Sequence, residues 1–150
     1  MLSMGGKIIL VRHVLGSIPL YWLQALQPPG AVLVAMGRLC NAFLWDNPDS
    51  RRIHWTAWEK VCYPVEEGGL GFRSFETLGQ AFACKLWWKL RANQSPWSNF
   101  MHCKYVKGEH PGLVSIHRPS VVWRRLLEVR GVAEENIRWC LGEGLVDFWQ

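Results

Sequence analysis

Near the start of the chain, apolar residues return at the helical interval. Ile8, Val11, Leu15, Ile18 and Trp22 stand 3, 4, 3 and 4 positions apart, which is one face of an amphipathic helix. Pro19 is expected to kink that helix, because it lacks an N–H and crowds the carbonyl four residues back. Pro28-Pro29-Gly30 reads as a connector, after which a second helix begins near Ala31. Its inward face is expected to carry Val32, Met36, Leu39 and Phe43, and it ends near Trp45, before the loop signal Asp46-Asn47-Pro48-Asp49-Ser50.

Residues 51–63 read two ways. Ile53, Trp55 and Ala57 alternate as in a strand, whereas Thr56 can cap a short helix. The short helix is the favoured reading, and Tyr63-Pro64 ends it. Gly68-Gly69-Leu70-Gly71 then predicts a tight turn with positive φ at one or more glycines.

The strongest helical pattern covers 75–91. Phe75, Leu78, Phe82, Leu86 and Leu90 form its stripe, and Lys85 and Lys89 lie on a neighbouring one. Ser95-Pro96 has the form of an N-cap followed by proline at the first helical position, opening a helix through Trp97, Phe100, Met101 and Tyr105. Residues 107–119 read as a loop. Residues 120–129 predict a helix with Val122, Trp123, Leu126 and Leu127 inward, and 137–149 alternate and turn as a β-hairpin does. The fold class expected is mainly α with a short C-terminal β-hairpin.

Composition changes this picture in two ways. The chain of 150 residues is 49% hydrophobic, includes ten Trp and is only 19% charged, against about 25% in an average domain. That excess hints at surface meant for a partner or for the rest of a longer polypeptide. The net charge is +5 and the pI about 9.1, a balance that favours polyanions. Five cysteines, an odd number without a C-x-x-C, point to reduced thiols rather than a disulfide framework. The N-terminus does not read as a secretory leader, since residues 1–7 are followed by only four apolar residues, Ile8 to Val11, before Arg12. Residues 14–37 carry no charge, but Pro19, Gln24, Gln27 and Pro28-Pro29 interrupt them, so no transmembrane span is expected.

The residues point to no reaction. Asp46, Asp49 and Asp147 are the only aspartates, whereas two-metal chemistry needs clustered carboxylates. Glu66-Glu67 and Glu134-Glu135 sit near predicted turns and read as solvated surface. His102-Cys103 with His110 and His117 matches no common zinc spacing. Cys62, Cys84 and Cys140 read as small core residues. There is no G-x-S-x-G elbow and no phosphate-cradling glycine pattern. What remains is cations interleaved with aromatics. Arg51, Arg52 and His54 precede Trp55 and Trp58, Lys85 and Lys89 flank Trp87-Trp88, and Arg124-Arg125 follow Trp123. Such cations can hold phosphates while exposed rings stack on bases. The plainer alternative is that most of these rings are core and the cations are the wet face of the same helices.

One ordered series of short motifs runs through nearly the whole chain. It begins with Leu2-Ser3-Met4-Gly5-Gly6-Lys7, residues 14–21 and Phe43-Leu44-Trp45. It continues with His54-Trp55, Trp58, Cys62, Pro64, Glu67-Gly68-Gly69-Leu70-Gly71, Lys85-Leu86-Trp87-Trp88 and Trp97. It closes with Tyr105, Trp123, residues 139–144 and Phe148-Trp149. In this order the chain resembles the segment that follows the reverse transcriptase catalytic domain in plant non-LTR (LINE-type) retrotransposon polyproteins. The family's catalytic aspartates lie upstream of that segment and a Cys/His zinc-binding segment lies downstream; some members add a ribonuclease H domain. The family usually continues past Phe148-Trp149 with an acidic residue and a further Trp, whereas Gln150 follows here, so a truncated element or a fragmentary gene model is expected.

The resemblance implies a thumb-like helical pair over 1–45, a Trp/Gly-rich connector over 46–74 and a helical region over 75–150. It implies a chain without catalysis of its own and without a cofactor. Its partners would be RNA or an RNA–DNA template–primer and the missing reverse transcriptase catalytic domain, inside the cell, in nucleus or cytoplasm. The cations expected to contact phosphates are Lys7, Arg12, Arg51, Arg52, Lys85, Lys89, Arg124 and Arg125. Two alternatives stand beside this reading: an inert structural remnant of a degenerate retroelement, and a peripheral membrane protein using the uncharged 14–37 stretch.

Overall fold

A computed structural model describes residues 2–45, 56–115 and 118–138. Among these the chain is helical and forms no strand. Most of the hairpin expected over 137–149 lies outside the described residues.

Helix α1, Met4–Leu10, is capped by the Ser3 hydroxyl, which accepts from Gly6 N. It widens into a π-helical turn over Val11–Leu15, closed by Gly16 N donating to Val11 O at 2.8 Å. Helix α2, Leu20–Ala25, follows Pro19. The wide turn corrects the predicted face. One extra residue in the turn shifts every later position by one, so Pro19 and Leu23 point inward while Ile18 and Trp22 are exposed.

Helix α3 spans Gly30–Trp45, and its face also differs from the apolar periodicity. Gly37, Cys40, Asn41 and Leu44 are buried, whereas Leu39 is 72% exposed. The cause is tertiary. A Cβ on Gly37 would stand 2.5 Å from Trp58 Cδ1, so glycine is what lets the indole seat here. Asn41 accepts from Trp45 Nε1 at 2.8 Å and donates to Thr56 O at 3.0 Å, which satisfies it inside.

Helix α4, Trp58–Val61, is short as expected, but its N-cap is Ala57 rather than Thr56. A 3₁₀ turn, Val65–Glu67, leads into the glycine turn. Gly68 and Gly71 have φ of 82° and 66°. Gly69 is required for another reason: a Cβ there would meet the Tyr63 carbonyl oxygen at 2.0 Å. Leu70 N donates to Val61 O and Gly71 N to Tyr63 O, both at 2.9 Å, so the loop cannot retreat without losing these bonds. Gly69→Ala is therefore expected to cost roughly 2–4 kcal/mol in urea unfolding. Gly68→Ala, where a Cβ would meet open space, should cost only about 1–2 kcal/mol. Equal losses would contradict this account.

Helix α5, Phe75–Ala92, starts at the Ser74 cap and stops at Asn93, which takes φ of 46°. Helix α6, Pro96–Met101, carries a reciprocal capping box between Ser95 and Ser98. A second π-helical turn follows over His102–Val106 and ends at Lys107 with φ of 50°. Helix α7, Val121–Glu135, is capped by Ser120 and runs six residues beyond the predicted end at Val129. Gly131 does not interrupt it.

The apolar residues form two clusters. One gathers Val11, Leu23, Cys40, Leu44, Val61, Phe72 and Phe75. The other gathers Ala83, Trp87, Leu90, Met101, Val106, Val114, Trp123, Leu126 and Val129. Helix α5 serves both, with Phe75 in the first and Ala83, Trp87 and Leu90 in the second. Helices α2 and α3 pack on α5, and α7 packs along it.

Candidate nucleic-acid interface

Of the eight cations expected to hold phosphates, the six among the described residues have unlike surroundings. Lys85 and Lys89 are exposed, one helical turn apart on α5, and Trp88 beside them is 58% exposed. Trp87, its neighbour in sequence, is wholly buried and donates from Nε1 to Glu134 at 2.8 Å. The same Glu134 oxygen meets Arg91 Nε at 3.3 Å. Consecutive helical residues point about 100° apart, so one indole is core and the next lies on the solvent face with the two lysines.

Arg125 corrects the sequence expectation. It is only 4% exposed. Its Nη2 donates to Leu23 O at 2.7 Å and Gly79 O at 2.8 Å, and its Nη1 to Leu26 O at 3.1 Å. Leu23 and Leu26 stand at the C-terminal end of α2, where carbonyls lack partners within the helix and a cation is favoured. Burial pulls the guanidinium down from its usual range, and Glu128 opposes that. Arg125 therefore joins α2, α5 and α7 and offers nothing to a phosphate.

Arg124 is exposed but stands one turn from Glu128 on α7, and Glu128 accepts from Gln27 at 3.0 Å. Lys7 is half-buried on α1. Arg12 donates from Nη2 to Leu70 O at 2.6 Å and lies over the Phe72 ring at 5.7 Å, which holds the glycine turn. Arg51 and Arg52 fall outside the described residues. Sequence reasoning missed Lys104, whose ammonium lies over the Phe100 ring at 5.5 Å and the Tyr105 ring at 5.2 Å. A hydrogen bond with Ser120, helped by Lys104, lowers the Tyr105 hydroxyl from its usual range against the opposing effect of burial. The signal for Lys104 was its position between two aromatics.

Other candidate chemistry is occupied by packing. His102 Nε2 pairs with Leu90 O at 2.9 Å, and His110 pairs with Arg91 and with Gly112 N. Among the described residues no three His, Cys, Asp or Glu side chains gather as a metal would need. Burial, then Glu59 and Cys40, push the Cys62 thiol up to about 11, and burial raises Cys40. Both stay protonated at neutral pH and are poor nucleophiles.

No protein-family model and no solved structure matches this chain. Over 155 aligned residues it is 30% identical to an Arabidopsis thaliana protein named "Putative ribonuclease H protein", with 99% of this chain covered. The chain spans 25% of that protein's length. It is also 24% identical over 143 residues to an uncharacterized mitochondrial protein of Arabidopsis thaliana, with 86% of each covered. By sequence this mainly helical chain is thus distantly similar to plant proteins, one of which is named for ribonuclease H.

Proposed function

We propose that this chain is a non-catalytic part of a retrotransposon reverse transcriptase polyprotein and contributes binding of RNA or an RNA–DNA template–primer. The observation that carries the reading is the solvent face of α5, where Lys85 and Lys89 flank the exposed Trp88. Two cations one turn apart can meet neighbouring phosphates, and an exposed indole can stack on a base. Similarity over a quarter of a longer protein named for ribonuclease H supports a role beside nucleic-acid chemistry located elsewhere in a larger polypeptide.

Single-stranded RNA should bind with an affinity that falls steeply as salt rises. Lys85→Glu with Lys89→Glu should flatten the plot of log affinity against log salt by about 0.7 for each lysine removed. Affinity independent of salt, or a double variant with the original slope, would refute the reading. A second reading rests on the exposed Tyr21, Trp22 and Leu39, at 78%, 61% and 72%. It makes this part a packing surface for the rest of a larger chain, without RNA affinity. Met4–Ala25 is long and apolar enough to cross a membrane by length and composition alone, and only 17% of its most apolar 18-residue stretch is buried. Liposome flotation separates a membrane role from both readings.

A further inference from the structure

A cleft of about 530 Å³ opens between the π-helical turn after α1, the glycine turn and the start of α5. That size falls within the range of small-molecule sites, roughly 300–1,000 Å³. Its walls divide by chemistry. Trp58, Phe72 and Phe75 supply an aromatic wall in which Trp58 stacks on Phe72 at 5.7 Å and on Phe75 at 6.2 Å, with Phe72 and Phe75 only 6% and 3% exposed. Arg12, His13 and Arg73 supply the polar side, and no carboxylate lines the cleft among the described residues.

Arg12 is held in place before any ligand arrives. Leu70 O takes one of its N–H donors, and the Phe72 ring lies under the guanidinium. The other donors of the fork have no partner among the described residues. Arg73 is exposed. A fixed guanidinium beside an aromatic wall, with no carboxylate in the cleft among the described residues, selects a ligand that is anionic at one end and flat and apolar at the other.

We infer that this cleft binds a small molecule made of a planar ring bearing an anionic group, with the ring packed against the Trp58–Phe72–Phe75 wall beside Arg12 and the anion at Arg12 and Arg73. A nucleoside monophosphate and an aryl acid share this chemistry. The inference does not depend on the α5 face, because none of Lys85, Trp88 and Lys89 lines the cleft.

The test is calorimetric titration of the full chain, folded by circular dichroism, with 2-naphthalenesulfonate, adenosine monophosphate and the neutral 2-naphthalenemethanol. One saturable site is expected for at least one of the two anions, with the neutral alcohol bound at least tenfold more weakly. Tighter binding of the monophosphate identifies a nucleotide site, and tighter binding of the sulfonate an aryl-acid site. Arg73→Gln should weaken the anion at least fivefold and Arg73→Glu further, with the urea midpoint unchanged. Equal affinity for the neutral ring, unaltered binding by both Arg73 variants, or no saturable binding of either anion would overturn the inference. Lys85→Glu with Lys89→Glu should leave this binding intact, which keeps the outcome separate from the RNA reading.

Discussion

Replacing Arg125 with methionine is expected to lower stability by about 3–5 kcal/mol, an effect comparable with breaking a buried ionic contact. Methionine fills much of the volume but makes none of the three hydrogen bonds to Leu23 O, Leu26 O and Gly79 O. Each buried carbonyl left without a partner costs about 1–3 kcal/mol, less where water can reach it. Arg125→Lys keeps the charge but loses the planar fork that reaches several acceptors at once, so it should recover only part of the loss. Urea unfolding monitored by circular dichroism measures both variants. If Arg125→Met unfolds at the original midpoint and instead loses RNA affinity, the residue is a phosphate contact and the packing account fails.

The adjacent tryptophans of α5 should behave oppositely. Trp87→Ala removes a ring with no exposure, at a cost of about 3–5 kcal/mol. Trp87→Phe keeps most of the packing and loses only the donor to Glu134, which Arg91 still holds at 3.3 Å. Its cost should be about 1–2 kcal/mol. Trp88→Ala should change stability by no more than about 0.5 kcal/mol while weakening RNA binding through lost stacking, by about 1–3 kcal/mol. Denaturant midpoints and RNA affinities for the three variants decide the matter. A large stability loss at Trp88 would show that its ring is structural and remove it from the proposed interface.

Local punctuation was the legible part of this chain. Ser95 with Pro96 does open α6, and the glycine turn does use positive φ. The stripe along α5 is right at its ends, Phe75 and Leu90, but between them Ala83 and Trp87 are buried while Leu78, Phe82 and Leu86 are half-buried. The inward faces of the first helices were not legible. The π-helical turn after Leu10 moves the buried positions by one, and Gly37 and Asn41 occupy buried positions that a search for apolar residues passes over. The exposure of Lys85 and Lys89 on one side of α5 could be read from their spacing. The burial of Arg125 could not.

The amino-acid sequence alone determined most helix starts and the glycine turn, because caps, prolines and glycines act through hydrogen bonds and steric contacts within a few residues. It also determined the positive net charge of +5. Which cations and rings meet solvent was decided only by the tertiary structure. Arg124 and Arg125 are adjacent and identical in type, yet one is exposed while the other meets Leu23, 102 positions away. Trp87 is packed in the second apolar cluster and donates to Glu134, 47 positions away, while Trp88 faces water. Burial depends on which distant groups the fold brings near, and no local pattern carries that information.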